Sequence, residues 1–315
     1  MLATAPAPIV AVAVSGNGRV AAGTADGGVR CWQTDGNPAD ADATYESPVV
    51  ALAWSPTADT LAAALQDGSI HLLNPTGPER ILTGEIEYEC LAFSPDGSRL
   101  AAGGKDNAIH LWDLRTSTST DTLSGHGDWI GALAWSPSGR YLASGSDDRT
   151  IRIWHMEDPT NTSVLTGHQN YVDGLCWAPD EQSLASCSAD WTIRIWHTAT
   201  GERPRVLAGH QRRVRAIAWS PNGKNLASGS DDRTVRIWNT TADTGHEVIG
   251  VHRDAVTSLA WLPDNQHVVT GSADATARIW STEVDPESLS AAAQSRVFRS
   301  LTDDERRAHL LPVGR

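Results

Sequence analysis

Five tryptophans stand on a fixed ruler: Trp112, Trp154, Trp196, Trp238 and Trp280 follow one another at intervals of 42 residues. Each closes a similar phrase, AIHLW, TIRIW, TIRIW, TVRIW and TARIW. Upstream, SIHLL ends at Leu73 and GVRCW at Trp32, so there are seven units with periods of 41, 39 and then 42 residues. A second ruler agrees: VAVSG (12–16), LAWSP (52–56), LAFSP (91–95), LAWSP (133–137), LCWAP (175–179), IAWSP (217–221) and LAWLP (259–263). A third phrase lies between the two, LASGSDD at 142–148 and again at 226–232, with looser copies elsewhere. A period of this length is the mark of stacked or ring-forming repeats and takes precedence over any division by chain length.

Each phrase reads as a strand. TIRIW alternates apolar with polar residues and is rich in β-branched ones. Ser94-Pro95-Asp96-Gly97 is turn chemistry, with Pro presetting φ at the second position and Gly suiting the fourth. A unit is therefore strand, turn, strand, turn, strand, then a run to a short fourth strand such as DTLSGH. Such a sheet cannot bury both faces alone; it stacks on copies of itself, and a closed ring hides both ends. The expected fold is all-β, a seven-bladed propeller of four-stranded antiparallel blades. Apolar residues between blades account for the 13 tryptophans. Met1-Leu2-Ala3-Thr4 aligns with the fourth-strand segment of other units and should complete the last blade, clasping the ring.

On these phrases, the sequence resembles the WD-repeat β-propeller family over roughly residues 2–281. Gly125-His126, Gly167-His168 and Gly209-His210 match its Gly-His pairs, Val251-His252 is a variant, and the name-giving Trp-Asp survives at Trp112-Asp113. The resemblance implies a buried Trp–Ser/Thr–His–Asp chain in the better-matched blades. Carried over, it gives Trp154, Ser144, His126, Asp148; Trp196, Ser186, His168, Asp190; Trp238, Ser228, His210, Asp232; and Trp280, Thr270, His252, Asp274. The donors and acceptors match, because indole only donates, hydroxyl and imidazole do both, and carboxylate accepts. A Ser-His-Asp set invites a hydrolase reading, but this one recurs four times and the indole occupies the hydroxyl a nucleophile needs free. No catalytic residues are assigned, and no metal or cofactor. The first three blades depart from the pattern, with Ala5 and Ala22, Leu73, and Ala102 at its positions, and are expected to rely on apolar packing.

The net charge of −13 argues against a general nucleic-acid or anionic-membrane binder. Cys31, Cys90, Cys176 and Cys187 lie far apart without a C-x-x-C pair, which fits reduced thiols and a cytoplasmic setting. No run of 18 apolar residues suggests a membrane span. Residues 1–281 are read as the propeller and 282–315 as a helical tail. In the tail a helical pattern runs from Asp285-Pro286 to about Arg296, and Thr302-Asp303-Asp304-Glu305 is a capping box. SRVFRSLTDDERRAHLLP resembles tails that follow propellers in prokaryotic signalling proteins, notably STAND-type NTPases.

The resemblance also implies binding on the face that carries the Gly-His loops. Residues flanking the buried first position of each inner strand should point there: Pro8 and Val10, Pro48 and Val50, Glu87 and Glu89, Trp129 and Gly131, Tyr171 and Asp173, Arg213 and Arg215, Ala255 and Thr257. Turn residues Asp147, Arg149, Trp191, Asp231 and Arg233 should join them. Trp129, Tyr171 and Trp191 are hot-spot residue types. Residues 1–90 carry a net charge of −8 and residues 203–236 a net of +6, which favours a protein or peptide with an acidic stretch near Arg213 and Arg215. The expected function is a non-enzymatic interaction scaffold or sensor module, monomeric or part of a larger chain. The alternatives are a propeller binding a small molecule or short peptide in its channel, or the regulatory arm of a STAND-type NTPase or protein kinase.

Overall fold

The computed structural model describes residues 3–282, apart from 38, 40, 41, 75, 76, 85, 199–202 and 242–244. The expected tail helices, and Met1 and Leu2, lie outside the described residues. Those described form seven four-stranded antiparallel sheets. Blade four is representative, with strands Ile130–Trp135, Tyr141–Ser146, Thr150–His155 and Asp158–Thr166 in that spatial order. Neighbouring first strands touch all round the ring, and that of blade seven, Val256–Trp261, meets that of blade one, Ile9–Val14.

The ring closes through the chain's beginning. Ala3–Thr4 forms the fourth strand of blade seven, pairing Ala3 with Ala277 and Thr4 with Thr276. Thr257 Oγ1 adds a hydrogen bond to the Ile9 carbonyl at 2.7 Å, joining the last blade to the first. Among the described residues no helix is long and apolar enough to cross a membrane.

The core lies between blades. In one cluster Ala132, Ala143 and Ile151 of blade four pack on Val172, Leu175, Trp177 and Leu184 of blade five. Second strands such as Leu61–Leu65 are buried throughout and rich in small residues, so sheets approach closely. A Cβ on Gly145 would lie 2.6 Å from Val172 of the next blade, a gap only glycine fits. The tryptophans ending first strands bridge blades. Trp135, Trp177 and Trp261 donate their indole N–H to Ala92, Ala134 and Ala218 of the preceding blade at 3.0–3.1 Å.

Candidate functional site

Four blades contain the polar chain implied by the resemblance. In blade four Trp154 Nε1–H donates to Ser144 Oγ (2.9 Å) and Ser144 lies 2.8 Å from His126 Nε2. His126 Nδ1 in turn lies 2.8 Å from Asp148. With neutral imidazole the donors run one way, Trp to Ser to His to Asp. Blades five and six repeat it through Trp196, Ser186, His168, Asp190 and Trp238, Ser228, His210, Asp232. Blade seven uses Trp280, Thr270, His252 and Asp274. The four hydroxyl-bearing residues are fully buried, so none is an accessible nucleophile.

The electrostatics follow from this geometry. Burial opposes ionisation of Asp148, but hydrogen bonds from Thr150, the Gly127 N–H and His126 outweigh it and hold the carboxyl at about 2. Asp274 is likewise at about 2, burial being outweighed by Thr276, the Arg253 N–H and His252. Asp190 and Asp232 are lowered further still, burial again losing to bonds from His168 or His210 and from a following threonine. Burial lowers His126, His210 and His252, only partly offset by their aspartates. The threonines at 150, 192, 234 and 276 are partners the sequence reading overlooked, although S-x-D-x-T recurs at fixed spacing.

Blades two and three are less apolar than expected. In blade two Tyr45 donates to Glu79 (2.8 Å), which lies 2.7 Å from His71 Nδ1, and His71 Nε2 lies 3.1 Å from Ser69 Oγ. Ser69 resembles a nucleophile only superficially, since its hydroxyl proton goes to Asp67 at 2.6 Å. In blade three Tyr88, 1% exposed, sits edge-on to His110, and Gly84 at the Gly-His position leaves room for its hydroxyl. Blade one does pack by apolar contact, with Ala5, Ala22 and Trp32 in one cluster.

A device shared by all blades builds the Gly-His face. Each first strand carries a one-residue β-bulge after its buried first position, at Val10, Val50, Glu89, Gly131, Asp173, Arg215 and Thr257. A bulge re-aims its extra residue, and all of these except Val50 line one recess of about 440 Å³. Trp129, Asp147, Tyr171 and Arg213 complete its wall. The turns between second and third strands stand on the same face. Each places a residue at positive φ: Gly27, Gly68, Asn107, Arg149, Trp191, Arg233 or Ala275.

Trp129, Tyr171 and Trp191 are 45%, 41% and 54% exposed. The charges are arranged differently from the sequence expectation. Arg213, expected to offer a free cation, holds Asp173 with two hydrogen bonds, at 2.9 and 2.5 Å. Arg215 holds Asp231 through Nε and, at 3.2 Å, through Nη2. Both guanidiniums are thus already engaged. Burial pushes Asp173 up to about 6 despite Arg213. Lys105, not singled out in the sequence, bridges Glu87 (2.5 Å) and Glu89 (3.1 Å) and lies 4.8 Å from the Trp129 ring centre. Arg149 and Arg233 are exposed on the turns.

A larger hollow of about 680 Å³ lies between blades four and five, lined by Tyr141, His155 and Trp177 among others. It sits beside Arg205–Leu207, a fourth strand of 3 residues where blade four has 9. The four cysteines are free, and burial raises their thiols, Cys31 to about 12, which makes them poor nucleophiles. Among the described residues no group of three His, Cys, Asp or Glu side chains converges as a metal site.

Comparison with known families agrees with this architecture. The family described as WDR19 first beta-propeller matches residues 90–249. The family described as WD domain, G-beta repeat matches residues 42–74 and 245–281. No curated protein matches the chain.

Proposed function

The chain belongs to the WD-repeat β-propeller family, and on that premise we propose that it is a non-enzymatic platform that binds a protein or peptide on its Gly-His face. Propellers of this family generally serve protein–protein interaction, while fold alone does not name a partner. The observation that carries the reading is the grouping of Trp129, Tyr171 and Trp191, all exposed, at the recess or on the adjoining turn. Rigid aromatic side chains around a concavity supply contact area at low entropic cost. The other large exposed apolar residues, such as Val164 and Val206, lie on fourth strands at the ring's outer edge.

In this reading residues 1–281 are the binding unit, with the cytoplasm as the setting. Selectivity for an acidic stretch loses its physical basis, because Arg213 and Arg215 already hold carboxylates. A random-peptide display library selected on the full chain tests the proposal. Peptides that bind the wild type should lose binding to a Trp129→Ala/Tyr171→Ala/Trp191→Ala variant and keep it with Val164→Lys/Val206→Lys. The reverse pattern would move the interface to the outer edge and refute the reading.

A further inference from the structure

The recess contains one carboxylate, Asp147, that makes no ion pair among the described residues, whereas Glu89 pairs with Lys105 and Asp173 with Arg213. The bulged residue of the first strand and the residue that follows the second strand form an equivalent pair of positions in every blade. The latter residue is fixed by its backbone N–H bonding across the blade, as Lys105 does to Glu87, Asp147 to Trp129 and Asp231 to Arg213. In blade three this pair is Glu89 and Lys105, an ion pair at 3.1 Å. In blade six it is Arg215 and Asp231, again an ion pair. In blade four it is Gly131 and Asp147, so the carboxylate is present and the bulge position has no side chain.

Space accompanies the missing charge. A Cβ built on Gly131 meets nothing nearer than the Val172 carbonyl at 3.6 Å. Backbone conformation does not require glycine there, since Gly131 is not among the residues at positive φ. The slot opens into the 440 Å³ recess beside Tyr171 and Trp129. Burial raises the pKa of Asp147 and the Asp128 and Glu89 carboxylates add to the shift, while Arg213 opposes it without outweighing it. The neighbouring cations are committed elsewhere, Arg213 to Asp173, Arg215 to Asp231 and Lys105 to Glu87 and Glu89.

We propose that the slot between Gly131, Asp147 and Tyr171 receives an arginine side chain from a partner polypeptide, which completes in trans the ion pair that blades three and six make internally. This rests on the Gly-His face being the binding surface. Guanidinium suits the slot better than ammonium because it pairs with a carboxylate through two donors and stacks flat on an aromatic ring. Lys105, held between Glu87 and Glu89 against Trp129, shows within the same molecule how this wall accommodates a cation.

The test titrates acetyl-Gly-Arg-Gly-amide into the full chain at low ionic strength, following the Trp129 indole signal by NMR. The controls are the citrulline tripeptide, isosteric but neutral, and the glutamate tripeptide. The expected result is saturable binding of the arginine peptide, weakened about tenfold or more by citrulline or by Asp147→Asn. Gly131→Lys should also abolish binding by supplying the cation internally, and should raise the melting temperature. Both variants alter a site open to solvent, and an unchanged far-UV spectrum would establish that they fold. Equal binding of citrulline, undiminished binding to Asp147→Asn, or tighter binding of glutamate would overturn the inference. Library peptides that need the three aromatics but contain no required arginine would overturn it too, while leaving the face assignment standing.

Discussion

Removing the carboxylate at the end of one buried polar chain should cost far more than removing its counterpart in a blade without that chain. Asp232 accepts from His210 Nδ1 at 2.8 Å, the Gln211 N–H at 3.0 Å, the Thr234 N–H at 2.9 Å and Thr234 Oγ1 at 2.6 Å. Asp232→Ala leaves the His210 N–H, whose side chain is 1% exposed, with only the weaker contact to Thr234 Oγ1 at 3.3 Å, and leaves the buried Arg236 guanidinium without the carboxylate 3.6 Å away. A lost charge-assisted bond to a buried donor costs about 1.5–3 kcal/mol. With the weakened Arg236 pair the total is roughly 3 kcal/mol. An unfolding entropy near 2.1 cal/mol/K per residue gives ~0.6 kcal/mol/K for a ring of this size, so the melting temperature should fall by about 5 °C. Asp67 instead serves only Ser69, through its N–H at 2.9 Å and its hydroxyl at 2.6 Å, both at the surface. Asp67→Ala should stay within about 0.5 kcal/mol, or ~1 °C. Calorimetry of the two variants beside the wild type decides the matter. Equal shifts, or a larger one for Asp67, would refute the claim that the buried chains stabilise their blades.

Two further outcomes follow from the same coordinates. Trp191 holds φ at 72° with its ring 54% exposed, a conformation glycine adopts without strain. Trp191→Gly should therefore raise stability by about 1 kcal/mol in chemical denaturation while weakening selected peptides; a loss of stability would mean the ring packs productively. Acid should destabilise the fold in two stages. His126, His210 and His252 have folded-state pKa values below the ordinary 6.5, so the unfolded chain takes up protons first and stability declines as pH drops below 6.5. Asp148 and Asp274, at about 2 against an ordinary 3.8, add a second loss below pH 3.8. Asp173, raised to about 6, and Asp147, also raised by burial, work in the opposite sense, two groups against four, since burial lowers His246 as well. Denaturation midpoints at pH 7.5, 5 and 3 should fall in that order; a constant or rising series contradicts the assignment.

The repeat made most of the architecture readable in advance, because a sheet that cannot bury both faces alone leaves few options. The Trp ruler located every third strand, and the position of the first phrase anticipated Ala3–Thr4 on the last blade. The buried chains were implied by the resemblance to WD repeats, and their donors and acceptors match. What sequence could not supply was the pairing of side chains across blades. Arg213 reads as free charge in a basic stretch, yet its partner Asp173 lies 40 residues away in the neighbouring blade. The bulges were invisible for a different reason: an extra residue present in all seven first strands leaves the period unchanged. Tyr88 was hidden because it reads as one more alternating strand residue, and only the fold puts its hydroxyl into the space above Gly84.

The recess, its bulged residues and the aromatic rim all require that the seven sheets close, with the chain's first strand on its last blade. Thr4 and Thr276 are partners there, and both reach solvent in part. They flank the Ala5 N–H to Ala275 carbonyl bond of 2.8 Å, which makes them the close, non-hydrogen-bonded pair of the ladder. Cross-strand pairs of that kind lie within disulfide reach. The Thr4→Cys/Thr276→Cys protein, oxidised in the folded state and mapped by mass spectrometry, should yield one intramolecular bond. Failure to crosslink when folded, or bonds only between two chains, would contradict the closed ring.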